Sequence, residues 1–364
     1  MTVTKKLITV FGGTGNQGTS VVRSLLAHKD QLFQVRVITR DPESSKAQEL
    51  AKLGAEIVLA EGSDRSQTTA AFKGSWGAFI NSNSDGPNDE DSIEKPTPYD
   101  LDVAVLDAAE AAGVQHIVYS SAASPHRATK GRINLTGFDY KTYAEEYARS
   151  EKSFTTFTAV LPASFMECWT QECFCQIWGG FPWYQNGQKE VVLAVPPYGG
   201  DGRMPWISVQ DDLGDIVHGI FLNPQRYDQK QVQAISQLIK LEDMAKELTK
   251  GELLLRTIPW PSSKRYPHVV HESYEEHVAT GTPVRYQQLA SWRDVPHDGS
   301  HLREEARLMF FFMNFCGGKW FAEHASDDTA ARECKQAAVE ARGCSTGNLT
   351  TFKEWFTRES ANHV

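Results

Sequence analysis

Gly12-Gly13-Thr14-Gly15-Asn16-Gln17-Gly18 carries glycines at two overlapping spacings, 13/15/18 and 12/15/18. A backbone free of side chains there can make a tight turn, approach a pyrophosphate closely and let a following helix pack near its strand. The helix N-terminus then offers free N–H groups and a positive dipole to the phosphates. Gly12, Thr14, Gly15, Asn16, Gln17 and Gly18 are therefore candidate dinucleotide contacts. About twenty residues on, an acid that would bind a ribose 2′-hydroxyl is replaced by Arg40. Its forked guanidinium suits a 2′-phosphate. Lys46 lies just beyond, while the adjacent Asp41 argues the other way. The expected cofactor is NADP(H).

These residues need a scaffold that brings strand ends together. Short apolar runs rich in β-branched residues occur at 7–11, 34–39, 56–60, 78–80, 116–120 and 157–161. Such runs belong to strands buried on both faces of a parallel sheet. Helical spacings fall between them, as in Val22, Leu25 and Leu26, and in Leu101, Val105, Ala108 and Ala109 with Gly113 as a stop. The alternation predicts an α/β fold, a doubly wound parallel sheet of Rossmann type with a smaller C-terminal α+β subdomain. The expected division is 1–161 for the nucleotide-binding domain, with 205–240 returning to it, and 162–364 for a substrate or partner subdomain. Helices are expected at 211–222, 241–248, 302–315 and 350–356, and a short strand at 206–209; residues 259–301 show no assignable pattern.

Strand ends supply the remaining candidates, because ligands bind outside the carboxyl ends of such strands. Asn81 and Ser82 follow the fourth strand and are placed at the nicotinamide end. Ser63 and Asp64 follow the third, either near the adenine or in a plain turn. Tyr119, Ser120 and Ser121 end the fifth and offer hydroxyls; Ser120 is taken as a cofactor contact. Pro162 and Phe165 lie where the chain leaves the sixth strand, Phe165 as core or as substrate wall. Trp169, Trp178, Phe181, Trp183 and Tyr184 suit an apolar pocket or a packed core.

The chain has 364 residues, a net charge of −9, 40% hydrophobic and 23% charged residues. That balance is globular, and the acidic charge argues against direct nucleic-acid binding. No apolar stretch reaches membrane length, and the expected location is the cytoplasm, or the nucleus for a regulator. Cys168, Cys173 and Cys175 lack paired metal-ligand spacing, so no metal is expected. His268, His271 and His277 are expected at the surface.

The stretches Val10–Gly18, Val35–Pro42, Gly54–Val58, His116–Ser121, Phe138–Lys141 with Glu145–Tyr147, and Leu161–Glu167 resemble the NmrA-like family of atypical short-chain dehydrogenases. The similarity touches Ser208–Ile216 and Leu349–Trp355 as well, and weakens after about residue 170. It implies a Rossmann domain with a smaller C-terminal subdomain closing the cleft. It also implies two kinds of activity: NADPH-dependent oxidoreductases, and dinucleotide-sensing regulators that bind other proteins. Ordinary short-chain dehydrogenases use Tyr-x-x-x-Lys, in which the lysine lowers the tyrosine's pKa so that it can pass a proton. Lys141 matches the lysine by resemblance, but Gly137 stands where the tyrosine belongs. Lys141 is thus the candidate catalytic residue, as cofactor contact or as the acid itself. Tyr140 and Tyr143 do not share its helix face. One reading is an NADPH-dependent oxidoreductase acting on an apolar or aromatic small molecule in a biosynthetic pathway. The alternative is a non-catalytic NADP(H) sensor that binds partner proteins.

Overall fold

The computed structural model describes residues 5–82, 96–182, 188, 190–250 and 284–362. Strand and helix alternate through the first half: β1 (Lys6–Phe11), α1 (Asn16–Leu26), β2 (Phe33–Thr39), α2 (Ser45–Lys52), β3 (Glu56–Leu59), α3 (Arg65–Phe72), β4 (Gly77–Ile80), α4 (Pro98–Ala111), β5 (His116–Ser120), α5 (Pro125–Ala128), α6 (Thr136–Glu151) and β6 (Thr156–Pro162). Then come β7 (Ser164–Phe165), α7 (Glu172–Ile177), β8 (Val191–Val195), β9 (Arg203–Ile207), α8 (Gly214–Leu222), β10 (Gln231–Ala234), β11 (Gln237–Lys240), α9 (Leu241–Lys250), β12 (Val284–Gln288), α10 (His301–Phe315), α11 (Thr329–Ala341) and α12 (Phe352–Asn362).

Seven strands form one parallel sheet in the order β10-β6-β5-β4-β1-β2-β3. The order reverses between β1 and β4, and a ligand crevice opens at the carboxyl ends of the strands at such a point. The expected Rossmann architecture is present. β4 and β5 are buried at every position, and β6 at all but its last, as strands covered by helices on both faces must be. α4 starts sharply because Thr97 and Asp100 form a capping box and Pro98 occupies the first turn. No helix among the described residues is long and apolar enough to cross a membrane.

The chain divides into two compact units. The first holds residues 1–163, 207–236 and 321–349, and contains the large sheet. The second holds 164–206, 237–320 and 350–364; it contains a three-stranded sheet, β11-β9-β7, and a β12-β8 pair. The sequence reading placed 321–349 with the second part. That segment instead joins the first, where α11 packs against α8. The attachment is ionic: Lys335 of α11 is buried against the fully buried Asp212, which also accepts from Ser236. A charged residue on a packed helix face hides the helix from hydrophobic periodicity.

A second polar cluster fixes α8 to α1. Asp215 accepts from Ser24 Oγ at 2.6 Å and from Arg342 Nη2 at 2.7 Å. His218, fully buried beside them, meets Ser24 Oγ through Nδ1 at 3.1 Å. Burial, and the His28 imidazole next to it, push the His218 pKa down to about 3. The native imidazole therefore stays neutral while the unfolded one protonates below about pH 6.5. Stability should fall by about 1.4 kcal/mol per pH unit from there towards pH 3 on this account. Urea unfolding followed from neutral to acid pH checks this. His218→Gln should flatten the slope, and an unchanged slope in that variant contradicts the assignment.

Candidate functional site

The glycine loop sits at the switch point because it has no room for side chains. Gly12 adopts φ +75°, and a Cβ there would lie 2.1 Å from the Asn81 carbonyl oxygen. A Cβ on Gly18 would lie 2.3 Å from the Gly12 carbonyl. β1, β4 and the first turn of α1 thus meet at van der Waals limits. Gly15 is the N-cap of α1, and no side chain caps that helix. Its first-turn N–H groups remain for a ligand. Gln17 is tied to β5, since Ser120 Oγ donates to Gln17 Oε1 at 2.8 Å. Thr14, Gly15 and Asn16 lie at the surface of the loop or partly so.

Arg40 follows β2 and is exposed, as is Lys46 in α2. Among the described residues neither makes a hydrogen bond or ion pair. The neighbouring acid is occupied: Asp41 Oδ1 accepts from the Glu43 N–H at 3.0 Å, and the Asp41 carbonyl accepts from Ser44 Oγ at 2.8 Å. Ser44 in turn caps α2. The turn after β2 and the start of α2 therefore present two cations unpaired among the described residues, beside a carboxylate already engaged.

Asp64 is the N-cap of α3, accepting from the backbone N–H of Ser66 at 2.9 Å and of Gln67 at 3.0 Å. Those bonds hold its carboxyl below the usual range. Its oxygens serve the helix, which favours the plain-turn reading of Ser63 and Asp64. Pro162 closes β6 in the first unit, and Phe165 belongs to β7 in the second, half-buried.

Lys141, on α6, is held by three acceptors. Its side chain is buried, and Nζ donates to Ser82 O at 3.1 Å, Ser82 Oγ at 2.7 Å and Asp102 Oδ2 at 3.1 Å. Three acceptors match the three hydrogens of an ammonium. Asp102, from α4, is fully buried and also accepts from Tyr119 Oη at 2.9 Å. Burial raises the Tyr119 pKa far above its ordinary value, and the Asp102 charge adds to that. Tyr119 therefore keeps its proton. Ser121 Oγ turns to the Lys141 carbonyl at 3.5 Å.

Asp102 was missed in the sequence reading, although a signal exists. It shares one helix face with Val105, Leu106 and Ala109, all fully buried. A carboxylate at i of an i, i+3, i+4, i+7 apolar stripe must find a buried partner.

The aromatic residues resolve in favour of a core. Trp169, Trp178 and Phe181 are buried, and the Trp169 ring centroid lies 5.3 Å from Trp178, 5.1 Å from Phe181 and 5.5 Å from Trp206. Such rings pack on one another within the second unit. Trp183, Tyr184, His268, His271 and His277 lie outside the described residues. Cys168, Cys173 and Cys175 are not joined in disulfides, and no metal-holding group of His, Cys, Asp and Glu occurs among the described residues.

The family model described as "NmrA-like family" matches residues 4–258. The NmrA-like family domain-containing oxidoreductase malD of Malbranchea aurantiaca is 49% identical over 98% of this chain and 97% of its own. The fold is shared with NmrA, a negative transcriptional regulator solved with NAD: TM-score 0.65, 18% identity, 99% of this chain and 98% of that one. It is shared too with a Citrobacter sp. triphenylmethane reductase solved with NADP(H): TM-score 0.60, 18% identity, 97% and 99% covered.

The buried ion pair makes a prediction independent of function. Lys141→Met leaves the Asp102 carboxylate without a counter-charge and should destabilise the protein by about 3–5 kcal/mol. Adding Asp102→Leu should recover much of that loss in chemical denaturation. A double variant as unstable as the sum of the singles contradicts the pairing.

Proposed function

The chain belongs to the NmrA-like family, and from that premise we propose that it is an NADPH-dependent oxidoreductase acting on a small organic molecule with a polarised double bond. The general oxidoreductase role is supported by the relative that matches at 49% identity along nearly the whole chain. The choice of cofactor rests on one observation. Beside a glycine loop built for a pyrophosphate, Arg40 and Lys46 have no hydrogen-bond or ion-pair partner among the described residues, while Asp41 is turned into its own loop. A 2′-phosphate supplies the missing anion, and Arg40 can hold it through two parallel N–H bonds.

The remaining assignments follow the geometry. The first turn of α1, from Asn16 and Gln17, would take the pyrophosphate. Asn81 and Ser120 would line the nicotinamide end, at the carboxyl ends of β4 and β5. Lys141 would act from beneath that edge, because its hydrogens are already engaged. The aromatic cluster of the second unit is packed on itself, so it does not argue for an aromatic substrate.

A second reading, an NADP(H)-sensing regulator that binds partner proteins, draws on the same Lys141 geometry together with Gly137 in place of tyrosine. Absorbance of reduced nicotinamide, followed against a panel of ketones, enones and imines, separates the two. Oxidation by at least one acceptor is the expected result. No oxidation by any, with NADP-dependent capture of a partner, would establish the sensor in its place. For the cofactor, Arg40→Ala should weaken NADP binding by about 1–3 kcal/mol, the size of a charge-assisted contact, and leave NAD binding nearly unchanged. Calorimetric titration with both dinucleotides checks this; equal losses refute the 2′-phosphate role.

A further inference from the structure

We propose that Ser82 delivers the proton in the reaction and that Lys141 acts through it, an inference that rests on the oxidoreductase reading. The argument begins with hydrogen counting. An ammonium only donates, so the 2.7 Å contact from Lys141 Nζ makes Ser82 Oγ the acceptor. The Ser82 hydroxyl hydrogen then has no acceptor among the described residues. Ser82 is 3% exposed. A buried hydroxyl with an unused hydrogen is costly unless something else takes that hydrogen.

Position says what that is. Ser82 lies just past the carboxyl end of β4, one residue beyond the Asn81 carbonyl that touches Gly12. Strand ends at the switch point face the ligand crevice. Lys141 cannot reach out to a substrate itself without giving up one of its three bonds. Tyr119 is committed to Asp102.

Held by the glycine loop and Arg40, NADPH would supply hydride chemistry to the carbon of a C=O or C=N bond, and the heteroatom, taking the π electron pair, would then need a proton. Ser82 gives its proton to that heteroatom as the O–H pair stays on Oγ. Lys141 passes a proton from Nζ to Oγ, which restores the hydroxyl. The lysine is then neutral, and Asp102 is buried without a counter-charge; a proton from solvent ends that state and regenerates the ammonium. The dyad supplies the acid that Gly137 does not.

Ser82→Ala and Ser82→Thr test the assignment, with four measurements on each. Single-turnover oxidation of bound NADPH by the acceptor panel should slow by about 100-fold or more in Ser82→Ala, the scale of a lost general acid. NADPH affinity should hold, so the loss falls on kcat and not on KM for the cofactor, while the thermal midpoint should fall because one hydrogen of the buried ammonium loses its acceptor. Ser82→Thr, which keeps the hydroxyl, should retain most of the rate. In the cofactor-free protein, nitrogen-detected NMR should show a Lys141 ammonium protected from solvent exchange, with Ser82→Ala losing that protection and Ser82→Thr keeping it. Should Ser82→Ala fail to fold, the ammonium signal and the rate of Ser82→Thr decide. Full activity in Ser82→Ala, or an unprotected ammonium in the parent protein, overturns the Ser82 role alone. A parent protein in which none of the acceptors oxidises NADPH overturns the oxidoreductase reading and this assignment with it.

Discussion

No side-chain carbon fits between Gly12 and the carbonyl of Asn81. That exclusion sets the geometry on which the rest of the candidate site depends. It lets the end of β1 lie against the end of β4, and it turns the chain at φ +75° into a helix whose first residues stack on the loop. These backbones touch at the point where the strand order reverses. Any larger residue would push β4 away from the loop and take Asn81 and Ser82 with it. The same edge is held from below by a different force: the Lys141 ammonium grips both oxygens of Ser82, and the Asp102 carboxylate supplies its counter-charge. Steric closeness above and an ion pair beneath fix one short stretch of backbone.

Burying charge to position an element recurs in the first unit. Lys335 with Asp212, and Arg342 with Asp215, attach α11 to the α8 region. Breaking such a pair from one side is far more costly than never having formed it, so each pair defines where its helix goes. In the Lys141 case the device stands next to chemistry. The lysine that sequence similarity marks as catalytic donates to both oxygens of Ser82 and to Asp102, the arrangement on which the proposed role of Ser82 rests.

The sheet was legible from sequence because its strands announce themselves. The runs expected at 7–11, 34–39 and 116–120 coincide with β1, β2 and β5 to within a residue. Continuous apolar stretches leave few alternatives when both faces are covered. The glycine loop was legible for the same reason, since its spacing follows a strand and opens a helix. Less was visible where tertiary contacts override local pattern. α11 carries Lys335 on its packed face, and β10 and β11 are short strands with polar residues, Gln231 and Gln237 among them. The partner of Asp102 was not legible, because it lies 39 residues away in the sequence. The aromatic residues of the second unit were legible as buried but not as core or wall, a distinction that only their mutual ring contacts make.

The central claim is that this crevice holds NADP(H), with the glycine loop on the pyrophosphate and Arg40 on the 2′-phosphate. A crystal structure of the protein with NADPH tests it most directly. The account predicts the pyrophosphate against the first-turn N–H groups of α1 and the 2′-phosphate within hydrogen-bond distance of the Arg40 guanidinium. A 2′-phosphate placed away from Arg40, or a cofactor bound anywhere other than the glycine loop, would contradict it.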